Sequence, residues 1–166
     1  GVLTARVEPE MLAARDPLAN LEDTENALYL ITDLLGEIGI AREDVYINNT
    51  VNCRPPGNRD PLPDELEACK PWLDERVALI DPAVVVTLGN WATRYILGKQ
   101  VSISRVRGQR FPWSGRTVIP TFHPAAVLHG GGQASNQMTA LRADFQEIRR
   151  ALAERPQPAE EQLGLF

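Results

Sequence analysis

The sequence predicts an α/β fold, a three-layer αβα sandwich around a central and mainly parallel sheet. Residues 83–88 form a continuous apolar run, which is typical of a strand in a parallel sheet covered on both faces. Residues 117–122 are rich in β-branched and aromatic side chains and predict a second strand. Helical patterns alternate with these strands, and 166 residues of which 43% are apolar suffice for one sizeable core.

The first part of the chain predicts two strands and one clear helix. Residues 2–7 favour a short first strand. Apolar residues at helical spacing predict a helix over residues 24–38, which Gly39 ends. Residues 44–51 have the composition of a strand.

A proline-rich loop over residues 52–61 separates that strand from a second helical pattern. The helix is predicted over residues 64–80, with Asp64 as its cap. Pro71 lies within this span and predicts a kink or a break into two helices, because proline removes one hydrogen bond of the helix.

The second half of the chain continues the alternation. Gly89 turns the chain into a helix that ends at Leu97, and a hairpin with Ser114-Gly115 as its turn leads to the strand over residues 117–122. Pro120 predicts an edge position or a bulge for that strand. A last amphipathic helix is predicted over residues 137–152.

Composition bears on the compartment. No apolar run approaches the roughly 20 residues that a membrane-spanning helix needs, and no segment has the pattern of a signal peptide. The two cysteines, Cys53 and Cys69, are too few for the disulfide framework of a small secreted domain. These features predict a cytoplasmic protein that does not contact a membrane.

The net charge of -5 is unevenly distributed along the sequence. Residues 1–36 hold seven acids and two bases, whereas residues 82–143 hold seven bases and no Asp or Glu. An acid-free, arginine-rich stretch predicts a surface that binds phosphate groups. The alternative is an ordinary solvated face.

His123 follows the strand over residues 117–122 directly, and Pro124 ends that strand. A histidine is thereby predicted at the carboxyl end of a sheet strand, which is where open α/β sheets bind their ligands. The alternative is a loop histidine that is hydrogen-bonded by the backbone alone.

Five blocks of the sequence carry a resemblance to a known family. They are DVYINNTVNCRPPGNRDP, ELEACKPWL, VVVTLGNWATRYILG, ISRVRGQRF and IPTFHPAAVL. In this order and spacing they resemble the uracil-DNA glycosylase superfamily, and most of all its family 4, which often carries an iron–sulfur cluster. The resemblance covers roughly residues 27–153. It implies an enzyme that binds DNA, flips uracil out of the helix and hydrolyses the N-glycosidic bond.

The resemblance assigns the recognition of uracil to Asn49, two residues after Ile47. An amide both donates and accepts, so it distinguishes uracil from cytosine by the direction of the hydrogen bonds. The alternative is an asparagine that stabilises a turn at the end of a strand. Leu18 corresponds to the family's stacking aromatic, and a leucine loses much of the roughly 1–3 kcal/mol that stacking contributes per base.

The resemblance assigns the catalytic roles to His123 and Glu8. His123 would donate a hydrogen bond to the uracil O2 as negative charge gathers on the departing base. Glu8 would belong to a remnant of the motif that positions the attacking water, but the two glycines of that motif are missing. Without a well-placed water, hydrolysis would fall by orders of magnitude.

Several residues are assigned to DNA. The loop after His123 would enter the helix beside the extruded nucleotide, with Val127 or Leu128 as an apolar wedge. Both side chains could instead pack under the loop. Arg105 and Arg107, in the acid-free stretch, are predicted to contact DNA phosphates.

Cys53 and Cys69 stand where the family places two ligands of a [4Fe-4S] cluster. Four thiolates are the usual set, and this chain has only two cysteines. Either an upstream Cys-x-x-Cys segment is absent from this chain, or the cluster is lost. The alternative is that both cysteines are small buried hydrophobic residues, and two cysteines alone favour the absence of a bound cluster from this chain.

The last five residues resemble the peptide that docks on the bacterial replication sliding clamp, with anchors at Gln162, Leu163, Leu165 and Phe166. We therefore expect a glycosylase-like domain over residues 1–153, a flexible tail over residues 154–166, and a monomer. The altered segments around Glu8 and Leu18 leave two other functions open. One is a catalytically degenerate module that binds DNA or the clamp, and the other is a glycosylase for a different damaged base.

Overall fold

The computed structural model describes residues 21–51, 61–129 and 135–154. Its helices are α1 (Leu21–Glu37), α2 (Pro63–Ile80), α3 (Gly89–Leu97), α4 (Ile103–Val106), α5 (Pro124–His129) and α6 (Asn136–Ala153), with a 3-10 turn at Arg42–Asp44. Its strands are β1 (Val84–Leu88), β2 (Phe111–Trp113) and β3 (Arg116–Thr121).

Three strands form the sheet in the described part of the chain, in the order β1-β3-β2. β1 runs parallel to β3, with Val84 opposite Thr117 and Leu88 opposite Thr121. β2 pairs with β3 in the antiparallel direction. The predicted α/β class is confirmed, and the carboxyl ends of β1 and β3 meet at one edge of the sheet.

Side chains of β1 point alternately to two helical layers. Val84, Val86 and Leu88 pack against the hydrophobic core that includes α1 and α6. Thr87 points the other way, because its hydroxyl oxygen lies 2.9 Å from that of Thr93 in α3. Successive residues of a strand face opposite sides of the sheet, so helices cover both faces.

The main core lies between α1, α6 and β3. Leu34, Ile119 and Leu141, one from each element, are all 0% exposed. Full burial of such a side chain contributes about 1.5–3 kcal/mol. The apolar stripe predicted for α1 is confirmed at Ala27, Leu30, Ile31, Leu34, Leu35 and Ile38.

The ends of the two core helices follow local signals in the sequence. After α1, the N–H of Ile40 donates to the Leu35 carbonyl at 2.9 Å, which closes the helix around Gly39 as predicted. At the start of α6, the Ser135 hydroxyl accepts a hydrogen bond from the Met138 N–H at 3.1 Å. The predicted helix after Gly89 and the hairpin turn between β2 and β3 are also confirmed.

Residues 44–51 do not form the predicted strand. They continue from the 3-10 turn as irregular chain, within which Val45 and Ile47 pack against the core. The alternating apolar residues, Val45 and Ile47, therefore indicate that one side of this segment is buried, and not that it is a strand. A strand also needs a partner for its backbone groups, and the described residues provide no such ladder here.

Of the two outcomes predicted for Pro71, the break into two helices is wrong, because α2 is one helix from Pro63 to Ile80. The kink stays a prediction. Pro71 is exposed, while Cys69 and Leu73 on either side of it are buried. Burial of these neighbours holds the helix together at the cost of one missing N–H donor.

Pro120 lies in the central strand and not at an edge, so that prediction is also wrong. Its carbonyl accepts a hydrogen bond from the Gly108 N–H at 2.8 Å, and the missing N–H of a strand residue would point to the same side. β2 is the neighbour on that side, but it pairs only with residues 116–118 of β3, where Phe111 lies opposite Val118. It does not reach Pro120. No ladder hydrogen bond is lost.

None of the helices within the described ranges is both long enough and apolar enough to cross a membrane. The strand predicted over residues 2–7 and the tail after residue 154 lie outside the described residues.

Candidate active site

His123 lies at the edge of the sheet where β1 and β3 end. It follows β3 by two residues, while Gly89 comes directly after β1. The two positions touch: a Cβ atom built on Gly89 would lie 3.2 Å from the Cβ of His123. The predicted placement of a histidine at the carboxyl end of parallel strands is confirmed.

The backbone of α5 selects one tautomer of His123. The N–H of Ala125 donates to His123 Nδ1 at 3.2 Å, and the N–H of Ala126 donates to the His123 carbonyl at 3.0 Å. Because Nδ1 accepts, the proton of the neutral ring resides on Nε2. The side chain is exposed and lies at the carboxyl edge of the sheet.

The two asparagines after Ile47 have different surroundings. Asn48 is half-buried, and its Oδ1 accepts a hydrogen bond from Arg76 Nη1 at 3.1 Å. Asn49 is exposed. Asn48 therefore connects this segment to α2, whereas the Asn49 side chain is open to a ligand.

Most arginines of the acid-free stretch are paired with carboxylates from other parts of the chain. The pairs are Arg107–Asp144, Arg110–Glu147, Arg110–Glu154, Arg116–Asp81 and Arg142–Glu37. Arg94, Lys99 and Arg105 have no carboxylate partner among the described residues. Of the residues predicted to bind phosphate, these three are therefore the ones whose charge is not balanced by a carboxylate among the described residues.

A groove next to the site contains two of them. Arg94, Gln100, Ser102 and Arg105 line it. The segment that lines it is joined to the turn after β1, because Asn90 Oδ1 accepts a hydrogen bond from the N–H of Ile103, the residue after Ser102, at 2.8 Å. Arg105 is thus on the segment that adjoins the Gly89 turn and His123.

Arg107, which is half-buried, forms a cluster with the buried Asp144. Arg107 Nη2 donates to Asp144 Oδ1 at 2.7 Å and Nε donates to Oδ2 at 3.0 Å, while the Thr121 hydroxyl donates to Oδ2 at 2.6 Å. Burial raises the pKa of Asp144, and the hydrogen bonds from Thr121 and Arg107 act in the opposite direction. We refer to Arg107, Asp144 and Thr121 as the carboxylate cluster.

Burial corrects one of the predicted wedge residues. Val127 is 0% exposed and belongs to the hydrophobic core, so its side chain is not available to enter DNA in this conformation. Leu128 is half-buried and packs against the same core. The wedge role remains a prediction for Leu128.

Several predicted residues lie outside the described ranges. They are Glu8, Leu18, Cys53, Gln162, Leu163, Leu165 and Phe166. Cys69 is a buried free cysteine on α2. The described ranges contain no group of three or more His, Cys, Asp or Glu side chains that could hold a metal ion. Since two cysteines supply only half of the usual four thiolates, the residues of this chain do not complete the ligand set of an iron–sulfur cluster.

The sequence analysis did not predict the buried contact between Asp144 and Thr121. A signal for Asp144 exists, because it lies at helical spacing between Leu141 and Ile148 on the apolar stripe of α6. A carboxylate on such a stripe must find buried partners. Those partners come from distant positions that no local pattern identifies.

Comparison with known proteins places this arrangement in a family. The model of the uracil DNA glycosylase superfamily matches residues 16–152. The Type-4 uracil-DNA glycosylase of Sulfurisphaera tokodaii is 43% identical over 129 residues, which cover 72% of this chain and 57% of that protein.

Two further Type-4 uracil-DNA glycosylases are similar. That of Thermotoga maritima is 52% identical over 101 residues, covering 60% of this chain and 53% of the relative. That of Saccharolobus solfataricus is 40% identical over 136 residues, covering 76% of this chain and 61% of the relative. The chain thus spans a little more than half the length of these relatives. The match over residues 16–152 includes both strands of the parallel pair and His123, and the chain belongs to the uracil DNA glycosylase superfamily.

Proposed function

We propose that this chain is a uracil-DNA glycosylase, which flips uracil out of DNA and hydrolyses its N-glycosidic bond in base-excision repair. The observation that carries the proposal is the placement of the His123 ring at the carboxyl edge of the sheet, with its Nδ1 accepting a hydrogen bond from the Ala125 N–H. Family membership and the similarity to Type-4 uracil-DNA glycosylases support the same substrate.

The chemistry of the leaving group explains why a neutral histidine suits this reaction. Breaking the N-glycosidic bond leaves negative charge on N1 and O2 of the base. A hydrogen bond from His123 Nε2 to O2 would strengthen as that charge grows, and so would stabilise the transition state more than the bound substrate. Water then completes the hydrolysis by bonding to the sugar carbon and losing a proton, and protonation of the uracil anion balances that loss.

Recognition of the base is proposed for Asn49, whose amide can pair with O4 and N3–H of uracil. Cytosine presents an amino group and an unprotonated N3 at these positions, so the same amide orientation is mismatched twice. The exposed position of Asn49 beside core-anchored Ile47 is consistent with this role. Leu18 would pack on the uracil ring, Glu8 would help to position water, and Leu128 would fill the gap left by the extruded base.

Contact with the DNA backbone is proposed for Arg105 together with Arg94 and Lys99. These cations have no carboxylate partner among the described residues and two of them line the groove beside the Gly89 turn. Each neutralised phosphate should contribute to a salt-dependent affinity. Arg107 would contribute less, because its charge is already balanced by Asp144.

The test is excision of uracil from a synthetic oligonucleotide, detected by alkaline cleavage at the abasic site. We expect product from the parent protein and a loss of about 100-fold or more in His123→Ala and Asn49→Ala. Asn48→Ala is the matched control and should keep its activity. Absence of product from the folded parent protein would favour the alternative, a catalytically degenerate module that binds DNA, which the missing glycines around Glu8 support. Product from an oligonucleotide with another damaged base alone would favour a different substrate.

We also infer a second partner, the bacterial replication sliding clamp, from the resemblance of Gln162, Leu163, Leu165 and Phe166 to its docking peptide. A short segment of chain can anchor a leucine and a phenylalanine in an apolar pocket. Leu165→Ala and Phe166→Ala should each weaken binding to an immobilised clamp by about tenfold or more. Gln157→Ala, in the same tail, should bind as the parent does, and unchanged binding in all three variants contradicts the inference.

A further inference from the structure

The carboxylate of Asp144 occupies an unusual position for a charged group. It lies on the core-facing stripe of α6 and is 2% exposed, next to the buried Phe145. Removing a carboxylate from water costs several kcal/mol, and pairing it rarely gives a net gain over apolar packing. Stability alone therefore gives no reason for a charge at this position.

The partners of Asp144 converge from two other segments of the chain. Arg107, after α4, binds it through two nitrogens, and its Nη2 also donates to the Ala140 carbonyl. Thr121, the last residue of β3, binds it through its hydroxyl and is 0% exposed. The carboxylate cluster thus joins α6, the segment after α4 and the end of β3.

Gly108 brings that segment close enough for these contacts. A Cβ atom at this position would lie 2.5 Å from Asp144 Oδ1, closer than a carbon and an oxygen can approach. The φ angle of +69° also favours glycine. The N–H of Gly108 donates to the carbonyl of Pro120 at 2.8 Å.

The three residues before His123, namely Pro120, Thr121 and Phe122, are therefore each contacted by the carboxylate cluster or by Gly108. Gly108 binds the carbonyl of Pro120, Asp144 binds the hydroxyl of Thr121, and the Arg107 guanidinium lies 5.5 Å from the centre of the Phe122 ring. A cation over an aromatic face at that distance is attracted to it. His123 is the next residue.

We propose that the carboxylate cluster is a positioning device for His123, in which Asp144 and Thr121 fix the end of β3 so that the imidazole is held in its catalytic orientation. Neither residue contacts the substrate in this scheme. The inference rests on the proposed function for its kinetic consequence. Its structural consequence, the orientation and tautomer of the ring, stands apart from catalysis.

Thr121 offers a matched pair of variants. Thr121→Val keeps the shape of the side chain and removes the hydroxyl, whereas Thr121→Ser keeps the hydroxyl and removes a methyl group. If the hydrogen bond to Asp144 positions His123, the valine variant loses kcat and the serine variant retains it. A role in packing alone predicts the reverse order.

Asp144→Asn removes the charge at nearly constant volume, and Glu147→Gln is its control. Glu147 lies on the same helix and pairs with Arg110, three residues after Arg107, but at the surface. We expect kcat to fall about tenfold or more in Asp144→Asn and severalfold in Thr121→Val, at unchanged KM. Thr121→Ser and Glu147→Gln should keep the parent kcat.

Nitrogen NMR of the imidazoles provides a readout that does not require activity. The chain contains two histidines, so labelled histidine gives an Nδ1 and an Nε2 resonance from each of two rings, and a His129→Gln variant assigns them. Thr121→Val and Asp144→Asn should shift the Nδ1 and Nε2 resonances of His123, and Glu147→Gln should not. Should Asp144→Asn fail to fold, the Thr121 pair decides.

Three results would overturn the proposal: parent kcat in folded Thr121→Val and Asp144→Asn, a change in KM alone, or a lower rate with unshifted His123 resonances. If the parent protein excises no uracil, the proposed function fails. The resonances then decide alone, since a shift supports positioning of the ring and no shift refutes it.

Discussion

Gly89 and His123 lie against each other at the carboxyl edge of the sheet, because a Cβ atom on Gly89 would come within 3.2 Å of the His123 Cβ. Gly89 also has a φ of +82°, which an L side chain rarely adopts. Two separate physical effects thus require glycine here: backbone conformation and the space that His123 occupies.

Gly89→Ala should lower both stability and excision, since alanine strains the backbone and pushes the imidazole away. Gly98→Ala separates the two effects, because Gly98 ends the same helix with a φ of +61° and has nothing within 4 Å of its Cβ position. We expect a loss of about 1–3 kcal/mol in both variants. Only Gly89→Ala should also lower kcat for uracil excision, measured at a temperature where both are folded. Equal kcat values in the two variants contradict the contact.

The adjacent asparagines should respond to mutation in opposite ways. Asn48→Ala removes the acceptor of the Arg76 hydrogen bond and should cost about 1 kcal/mol of the free energy of unfolding. Asn49→Ala, at an exposed position, should change that free energy by no more than about 0.5 kcal/mol. Urea denaturation measures these values, and excision assays should give the reverse order. Loss of excision in Asn48→Ala alone would mean that uracil recognition is assigned to the wrong residue.

Arg110 should make stability depend on acid pH. Its hydrogen bonds hold the pKa values of Glu147 and Glu154 below their usual range. A lowered folded-state pKa means that this stabilisation is present above the unfolded value and is lost as the pH falls through the folded value. The Tm of Arg110→Gln should therefore lie below that of the parent at pH 7, and the difference should narrow toward about pH 3.

Arg105→Gln is the control for that series, because Arg105 has no carboxylate partner among the described residues. Its Tm difference from the parent should change little with pH. A difference for Arg110→Gln that grows as the solution becomes more acidic would contradict the assigned pairing.

The cysteine content predicts that this chain, purified anaerobically, lacks the visible absorption of an iron–sulfur cluster. Two thiolates do not fill a four-thiolate ligand set. Absorption spectra and iron analysis measure this directly, and Cys69→Ala should give the same spectrum as the parent. A visible band in the parent that Cys69→Ala abolishes would show that Cys69 is a ligand.

The sequence alone determined those features that depend on neighbouring residues. The apolar stripe of α1 and the turn at Gly39, the parallel strand after Ala83, and the position of His123 before Pro124 all follow from spacing and backbone preference. The family followed from five blocks in order, which the match over residues 16–152 confirms. Local patterns gave wrong predictions for a strand at residues 44–51, a helix break at Pro71 and an edge position for Pro120, because strand pairing and burial elsewhere in the fold decide these features.

Only the tertiary structure decided which charges meet. Arg107 and Asp144 are 37 residues apart, as are Arg110 and Glu147, and their pairing removes most of the acid-free stretch from the predicted phosphate surface. Burial of Val127 in the core likewise removes it from the residues predicted to enter DNA. The physical reason is that hydrophobic spacing and turn preference act over a few residues, whereas electrostatic partners are chosen by packing, which brings together segments that have no pattern in common.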